Sequence, residues 1–392
     1  MKFKINQLIE TVSETKNMDG QSQIIFLNTG DIIGGEILSK NFENVNQLPG
    51  QAKKSIKNGD ILYSEIRPKN KRYALIQNIN EDEFVVSTKL MVLRNIRKDI
   101  LMTKYFYYWL TSERITDYLQ EQAESRSGTF PQITFKDVLG VIELEVPSIQ
   151  RQENIVKLMD SVNGKIATNQ KINDNLVELA MGKISNYLKT NKVKKQRIGD
   201  LDLTVSDHVA NGSFKALKDN VTITEKPDFA LFLRNVDLKK DMNGEKRYVS
   251  EGAYKFLTKS RLFGHEVVIS NVADVGSVHR VPKLNVPMVA GNNIIFLQST
   301  NEALTDWLYW YFSSTYGQQQ IESITSGSAQ QKFNKTDFRN LYVPIVDEQF
   351  INNVLSPFLT MMDYNKQEIS LLMKLRDTLL PKLLNGEVEL SN

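Results

Sequence analysis

Apolar and polar positions along this chain fall into two rhythms that alternate twice. Short runs rich in β-branched and aromatic residues, broken by Gly, Asn and Pro, predict strands: Ser22–Ile33, Asp60–Ile66, Arg72–Ile79 and Glu83–Thr88. The pattern then changes to helical spacing over Leu101–Ala123, with Phe106, Leu110, Ile115 and Leu119 on one stripe. From 152 to 188 apolar residues recur at steps of three and four: Ile155, Leu158, Val162, Ile166, Ile172, Leu176, Leu179, Ile184 and Leu188. At about 1.5 Å per residue this predicts a helix roughly 55 Å long. Its stripe is narrow, so it requires a partner helix along its length. A second strand-rich region follows, with an aromatic helix over Leu304–Tyr316, and then a second long helix. Ser356-Pro357 reads as its N-cap and first turn, with Gln349–Leu355 as a preceding turn. Phe358, Met361, Asn365, Ile369, Leu372, Leu375 and Leu379 form its stripe. Pro381 is expected to end or kink it, and Asn385-Gly386 to stop it.

The two halves are copies of one plan. Four landmarks recur in the same order: a Gly-led apolar strand (Asn58–Ile66, Phe263–Val272), an aromatic segment (Tyr105–Ser112, Trp307–Ser314), a Ser-Gly loop (Ser127–Asp137, Ser326–Asp337), and a helix start (Val146–Met159, Val343–Leu355). The interval from Pro147 to Pro344 equals that from Gln152 to Gln349. Such a repeat has to be recognised before the fold is read. It divides the chain into a first module over 1–146, a long helix over 147–190, a second module over 191–343, and a second long helix with its tail over 344–392. By heptad count Asn169 and Asn365 lie near the middle of their helices at apolar seam positions. In an antiparallel pair their amides would face each other and fix the register. Replacing both with Leu is then expected to raise thermal stability while loosening that register.

Composition narrows the function. The 392 residues are 41% hydrophobic and 24% charged and contain no cysteine. That excludes disulfides and cysteine-based metal sites and fits a reducing cytoplasm. No apolar stretch approaches a membrane span, and the start, MKFKINQLIE, has no signal-peptide core. Net charge is only +3, but cations gather around the equivalent strand of each module. Lys53, Lys54, Lys57, Arg67, Lys69, Lys71 and Arg72 flank the first. Lys239, Lys240, Lys246, Arg247, Lys255, Lys259, Arg261, Arg280 and Lys283 flank the second. Any one of these belongs on a solvated face; their recurrence at equivalent places suggests an anion-binding role.

Catalytic equipment is missing from the pattern. The chain has no phosphate-binding GxxxxGK[ST] loop, no GxGxxG, no Asn/Asp-Pro-Pro-aromatic motif of the amino-methyltransferases and no GxSxG elbow. Its histidines are His208, His265 and His279, with no metal-ligand spacing. The expectation is a non-catalytic chain without a metal or cofactor of its own.

The duplicated pattern resembles the specificity subunit of type I restriction–modification systems. The segments PSIQRQENIV and PIVDEQFINNV, each after a Ser-Gly-x-x-(x)-Gln loop, carry the likeness, together with Leu375–Leu390. The resemblance implies a mixed α+β chain: two α/β target-recognition domains separated by two long antiparallel coiled-coil helices in a pseudo-twofold repeat. It implies that each domain reads half of a split, asymmetric target in double-stranded DNA. Two methyltransferase subunits would dock on the helices, and restriction (translocase–nuclease) subunits could join them. S-adenosylmethionine, ATP and Mg would then belong to the partners. Bidentate donors read base edges, so the expected contacts are Arg67, Lys69, Arg72, Arg126, Thr129 and Gln132 in the first module. In the second they are His279, Arg280, Lys283, Gln330, Gln331 and Lys332. Tyr105, Tyr107, Trp109, Trp307 and Trp310 could stack on bases, but their helical spacing favours the core. The first helix departs from the family pattern, ending in Leu179–Leu188 without the Leu-Arg-Asp-Pro-Lys type close. Two other readings compete: a protein–protein scaffold that binds no DNA, with neutral or acidic module faces, and a cryptic DNA-modifying enzyme, which would need a nucleotide or S-adenosylmethionine pocket.

Overall fold

The repeat read from the sequence reappears strand by strand. In the first module an antiparallel sheet runs in the order Ile9–Thr11, Leu90–Asn95, Ile61–Ser64, Tyr73–Leu75. In the second the order is Thr204–Asp207, Ile294–Gln298, Val267–Ser270, Val278–Arg280. The registers correspond: Ser64 faces Leu90 as Ser270 faces Ile294. A second sheet in each module contains one parallel pair, Gln23–Leu27 with Phe84–Ser87 and Ala230–Leu233 with Met288–Ala290. Each module closes with a two-stranded ribbon, Lys2–Lys4 with Glu143–Glu145 and Lys194–Arg197 with Tyr342–Ile345. Leu90–Asn95 is a strand the sequence reading passed over. These are the features of a computed structural model that describes residues 1–125, 131–327 and 330–388.

The aromatic segments are core helices. Each is broken once: Thr103–Leu110 is followed by Glu113–Ser125, and Glu302–Ser313 by Thr315–Ile324. Ser112 and Ser314 mark the breaks, each donating its hydroxyl to the carbonyl three residues back, Trp109 O at 2.7 Å and Tyr311 O at 2.6 Å. Gly317 is required after the second break, since a Cβ there would lie 2.2 Å from Tyr311 O. Tyr105, Trp109, Trp307 and Trp310 are buried, whereas Tyr107 is half-buried. Trp307 and Trp310 donate their indole N–H groups to Pro344 O at 2.8 Å and Leu355 O at 3.3 Å. Each ring adds a large apolar burial while leaving no stranded donor.

The long helices are Ile149–Thr190 and Ser356–Asn385. The first has 42 residues, about 63 Å at helical rise. The second is preceded without interruption by helical Glu348–Phe350, capped by Asp347, and a π-turn over Ile351–Leu355. Helical structure therefore begins before Ser356. Pro357 has no N–H and its ring crowds the carbonyl four residues back, and a wide turn accommodates both. Pro381 lies inside the helix and does not end it. The end is set by Gly386 at φ +79°, with Gly386 N–H bonded to Leu383 O and Glu387 N–H to Lys382 O, a Schellman closure.

The chain forms two compact units, Met1–Ala167 with Ser370–Asn392, and Thr168–Ile369. In the first, Ile155, Met159, Leu380 and Leu383 join the core under Tyr105 and Trp109. There Arg151 reaches Leu383 O and Arg376 reaches Asn163, so the helix segments run antiparallel. In the second, Leu176, Ala180 and Ile184 pack in one core with Leu355, Leu359 and Met362. Tyr187 stacks on Phe350 at 4.2 Å, again antiparallel. The seams are rotated from the simple heptad count. Ile172, Leu179, Met361 and Leu375 are exposed, whereas Ala180, Leu359 and Met362 are buried. Each helix packs on a module as well as on its partner, which widens the buried face beyond one a/d stripe.

Asn169 and Asn365 are both buried but do not bond each other. Asn169 Nδ2 donates to Glu368 Oε2 at 2.6 Å, and Asn365 Nδ2 to Asn173 Oδ1 at 2.8 Å. Each amide reaches a polar side chain about one turn along the opposite helix.

Candidate nucleic-acid interface

One backbone device is built twice. Strands Ile61–Ser64 and Val267–Ser270 each end in a buried serine whose hydroxyl donates two residues ahead, to Ile66 O at 3.2 Å and Val272 O at 3.3 Å. The next carbonyls, Glu65 O and Asn271 O, accept from Ile133 N–H at 2.8 Å and Phe333 N–H at 3.1 Å. Ile66 then bridges Gln132, and Val272 bridges Lys332. The following N–H groups, of Arg67 and Ala273, donate to Pro131 O at 3.1 Å and Gln331 O at 3.2 Å. Arg67 and Ala273 both turn left-handed, at φ +48° and +67°. Each strand end is thus clamped to the segment that leaves its Ser-Gly loop. Side chains mounted on it stand on ordered backbone, which suits recognition.

The structure gathers some of the expected residues at this clamp. Arg67, Lys69 and Gln132 are exposed there in the first module, and Gln330, Gln331 and Lys332 in the second. Gln132 Nε2 donates to Glu65 Oε2 at 2.9 Å. Lys69 pairs with Asp117 at 3.3 Å; this pair is exposed and contributes little to stability. Arg67 has no side-chain hydrogen bond or ion pair among the described residues. Arg126 and Thr129 lie outside the described residues. Lys283 is exposed and lies against Gly264, at the opposite end of its strand from the clamp.

Arg72, His279 and Arg280 are placed otherwise. Arg72 Nη1 donates to Gly30 O and Ile32 O, both at 3.0 Å, and so holds the Thr29–Asp31 turn. His279 is half-buried with Nε2 at 2.8 Å from Ser277 Oγ, and burial lowers its pKa. Arg280, 12% exposed, pairs with Asp306 at 3.1 Å and Asp363 at 2.8 Å. Ser356 Oγ donates to the same Asp306 at 2.6 Å. Arg280 is an anchor between the second module and its helix, not an outward reader. Register explains this: Arg280 faces Val267 as Leu75 faces Ile61, and Leu75 packs on the first core. Several basic residues counted in the sequence are likewise engaged internally, among them Lys239 with Asp274 and Arg247 with Glu225.

Sequence reasoning missed a cleft of about 440 Å³ beside Ala273, lined by Ile223, Phe232, Arg234, Asn235, Asp274 and Asn293 among others. Asn235 Nδ2 and Lys239 both hold Asp274, whose carboxyl they keep below the usual range, with the Lys239 bond the largest cause. Asn235 Oδ1 is buried and meets no donor among the described residues. No local spacing could reveal the cleft, because its walls come from separate strands and loops. Among the described residues there is no group of three or more side chains able to hold a metal, and no helix long and apolar enough to cross a membrane.

Comparison with known proteins decides the family. The family model described as the type I restriction modification DNA specificity domain matches residues 1–178 and again 208–373. The chain belongs to this family. The specificity subunit of the type I restriction enzyme HindI from Haemophilus influenzae is 39% identical over 178 residues, 45% of this chain and 38% of that protein. The chain thus spans well under half of that relative's length. The MjaIX specificity subunit from Methanocaldococcus jannaschii is 22% identical over 313 residues, covering 75% of this chain and 71% of that one. Among solved structures, the type I restriction–modification S subunit from M. genitalium aligns over 100% of this chain and 96% of its own, with a TM-score of 0.52 and 17% identity. This specificity-family chain therefore shares the S-subunit fold: mixed helix and strand, two repeated domains and long helices.

Proposed function

We propose that this chain reads a bipartite, asymmetric target in double-stranded DNA and delivers it to two methyltransferase subunits, with restriction subunits as further partners. The observation that carries the reading is the twice-built clamp, with the same backbone path in both modules and different exposed side chains on it: Arg67 and Gln132 in one, Ala273 and Lys332 in the other. A common scaffold with unlike readers suits unlike half-sites. Partner docking is supported by large apolar side chains left exposed on the long helices, including Leu179, Met361, Tyr364 and Leu371. Exposed residues of that size favour a covering protein. The chain itself is non-catalytic in this reading. S-adenosylmethionine, ATP and Mg act in the partners, and the assembly works in the cytoplasm.

The test is a methylome. The chain is expressed with a type I methyltransferase partner in a methylation-free host and modified bases are mapped. Two short half-sites around a fixed unspecified gap are expected. No new methylation with both proteins present would refute the reading and favour a scaffold.

A further inference from the structure

Arg67 occupies a position where glycine would be the default. An L-residue at φ +48° is strained by its Cβ, and glycine takes that conformation freely. The equivalent residue, Ala273, is also left-handed at φ +67°, so the turn belongs to the duplicated clamp and not to one loop. The peptide before it is fixed in the same way in both copies, by the Arg67 and Ala273 N–H bonds and by the Ile66–Gln132 and Val272–Lys332 bridges. What differs is the side chain. Ala273 ends at a methyl group. Arg67 carries an exposed guanidinium that, among the described residues, meets no protein acceptor, unlike Arg72, which donates to two carbonyls, and Arg280, which pairs with two carboxylates. Directly after it Pro68 opens a short 3-10 turn that is buried at Pro68 and tied to Gln120 through the Lys69 N–H at 3.1 Å. The base of the arginine is therefore held while its fork is free. A planar fork on a fixed backbone matches the O6 and N7 acceptors of guanine in the major groove.

We infer that Arg67 is a specificity-determining residue that reads a guanine in the half-site recognised by the first module, and that the second module, with Ala273 in the same place, has no such contact there. This rests on the DNA-reading function proposed above and adds a named residue and base to it.

The experiment is selection of bound duplexes from a randomised pool by the full chain, comparing wild type, Arg67→Gly and Arg67→Lys, with thermal melting of each. Wild type is expected to select a split motif with a guanine in one half. Arg67→Gly is expected to melt no lower than wild type, because the left-handed strain is relieved, yet to lose preference at that one position by roughly 10- to 100-fold while the other half-site is unchanged. Arg67→Lys keeps the charge but not the fork, so it too should lose most of the preference. An unchanged motif in Arg67→Gly would overturn the inference while leaving DNA reading intact. So would uniform weakening with no change in base preference, which makes the residue a phosphate contact; full retention of the preference by Arg67→Lys would overturn the requirement for a planar fork. A wild-type chain that selects no motif would overturn both the inference and the proposed function.

Discussion

Gln152→Leu and Gln349→Leu alter the same landmark of the repeat, and the structure predicts opposite outcomes. Gln152 is fully buried. Its Oε1 accepts from Met102 N–H at 2.8 Å, and its Nε2 donates to Ile100 O at 2.8 Å and Pro147 O at 2.9 Å. One side chain thereby joins the start of the aromatic helix, the preceding loop and the start of the long helix. Leucine has similar volume but satisfies none of these groups. With about 1–1.5 kcal/mol for each bond and a further desolvation cost for partners that stay dry, the loss is about 3–5 kcal/mol. Gln349 is exposed, and the second aromatic helix uses its own Asn301 as N-cap, accepting from Leu304 N–H at 3.2 Å. Gln349→Leu should therefore change stability by less than about 0.5 kcal/mol. Urea denaturation of the full chain reads the global effect, and hydrogen exchange over residues 101–110 reads the local one, since the Met102 amide loses its acceptor. Equal costs for the two variants, or unaltered exchange over 101–110 in Gln152→Leu, would refute the reasoning.

Four further outcomes are expected. Asn169→Leu should lower stability by about 1–2 kcal/mol in urea titration, because the buried amide bonds a carboxylate; this reverses the gain anticipated from an isolated polar residue in an apolar seam. Arg280→Ala should cost about 3 kcal/mol or more, because it leaves Asp306 buried without its cation, while Lys283→Ala on the exposed neighbouring loop should be near neutral; chemical denaturation distinguishes them. His208 and His279 are both held below the ordinary histidine range, chiefly by burial. Below about pH 6.5 the unfolded chain then takes up protons that the folded chain resists. Stability should fall as pH drops from there toward the folded values, and a melting temperature flat between pH 7 and 5 in the second unit would contradict this. Under the proposed function, inserting one heptad into both long helices should change the unspecified gap of the methylated motif and leave the half-sites alone; an unchanged gap would rule out a spacer role for the helices.

Periodicity and order made much of this protein readable from its residues. The step of three and four around Ile155, Val162 and Ile184 specifies a long helix because a helix presents one face every 3.6 residues. Repetition of the strand, aromatic, Ser-Gly and helix-start landmarks specified the duplicated architecture. The aromatic segments could be assigned to the core because helical spacing places them on one face. These signals are local, and local geometry decides them.

Tertiary packing decided the rest. Whether Gln152 and Gln349 are equivalent depends on what lies across from each, which spacing does not carry. Arg280 resembled a DNA reader in a basic stretch, but strand register turned it toward Asp306 and Asp363, where a buried guanidinium must be paired. Conversely, nothing adjacent to Arg67 announces its left-handed backbone or the two clamps that hold it. Those arise from hydrogen bonds to Pro131 and Gln120, some fifty to sixty residues away along the chain, and side-chain direction follows from partners that only the folded chain brings together.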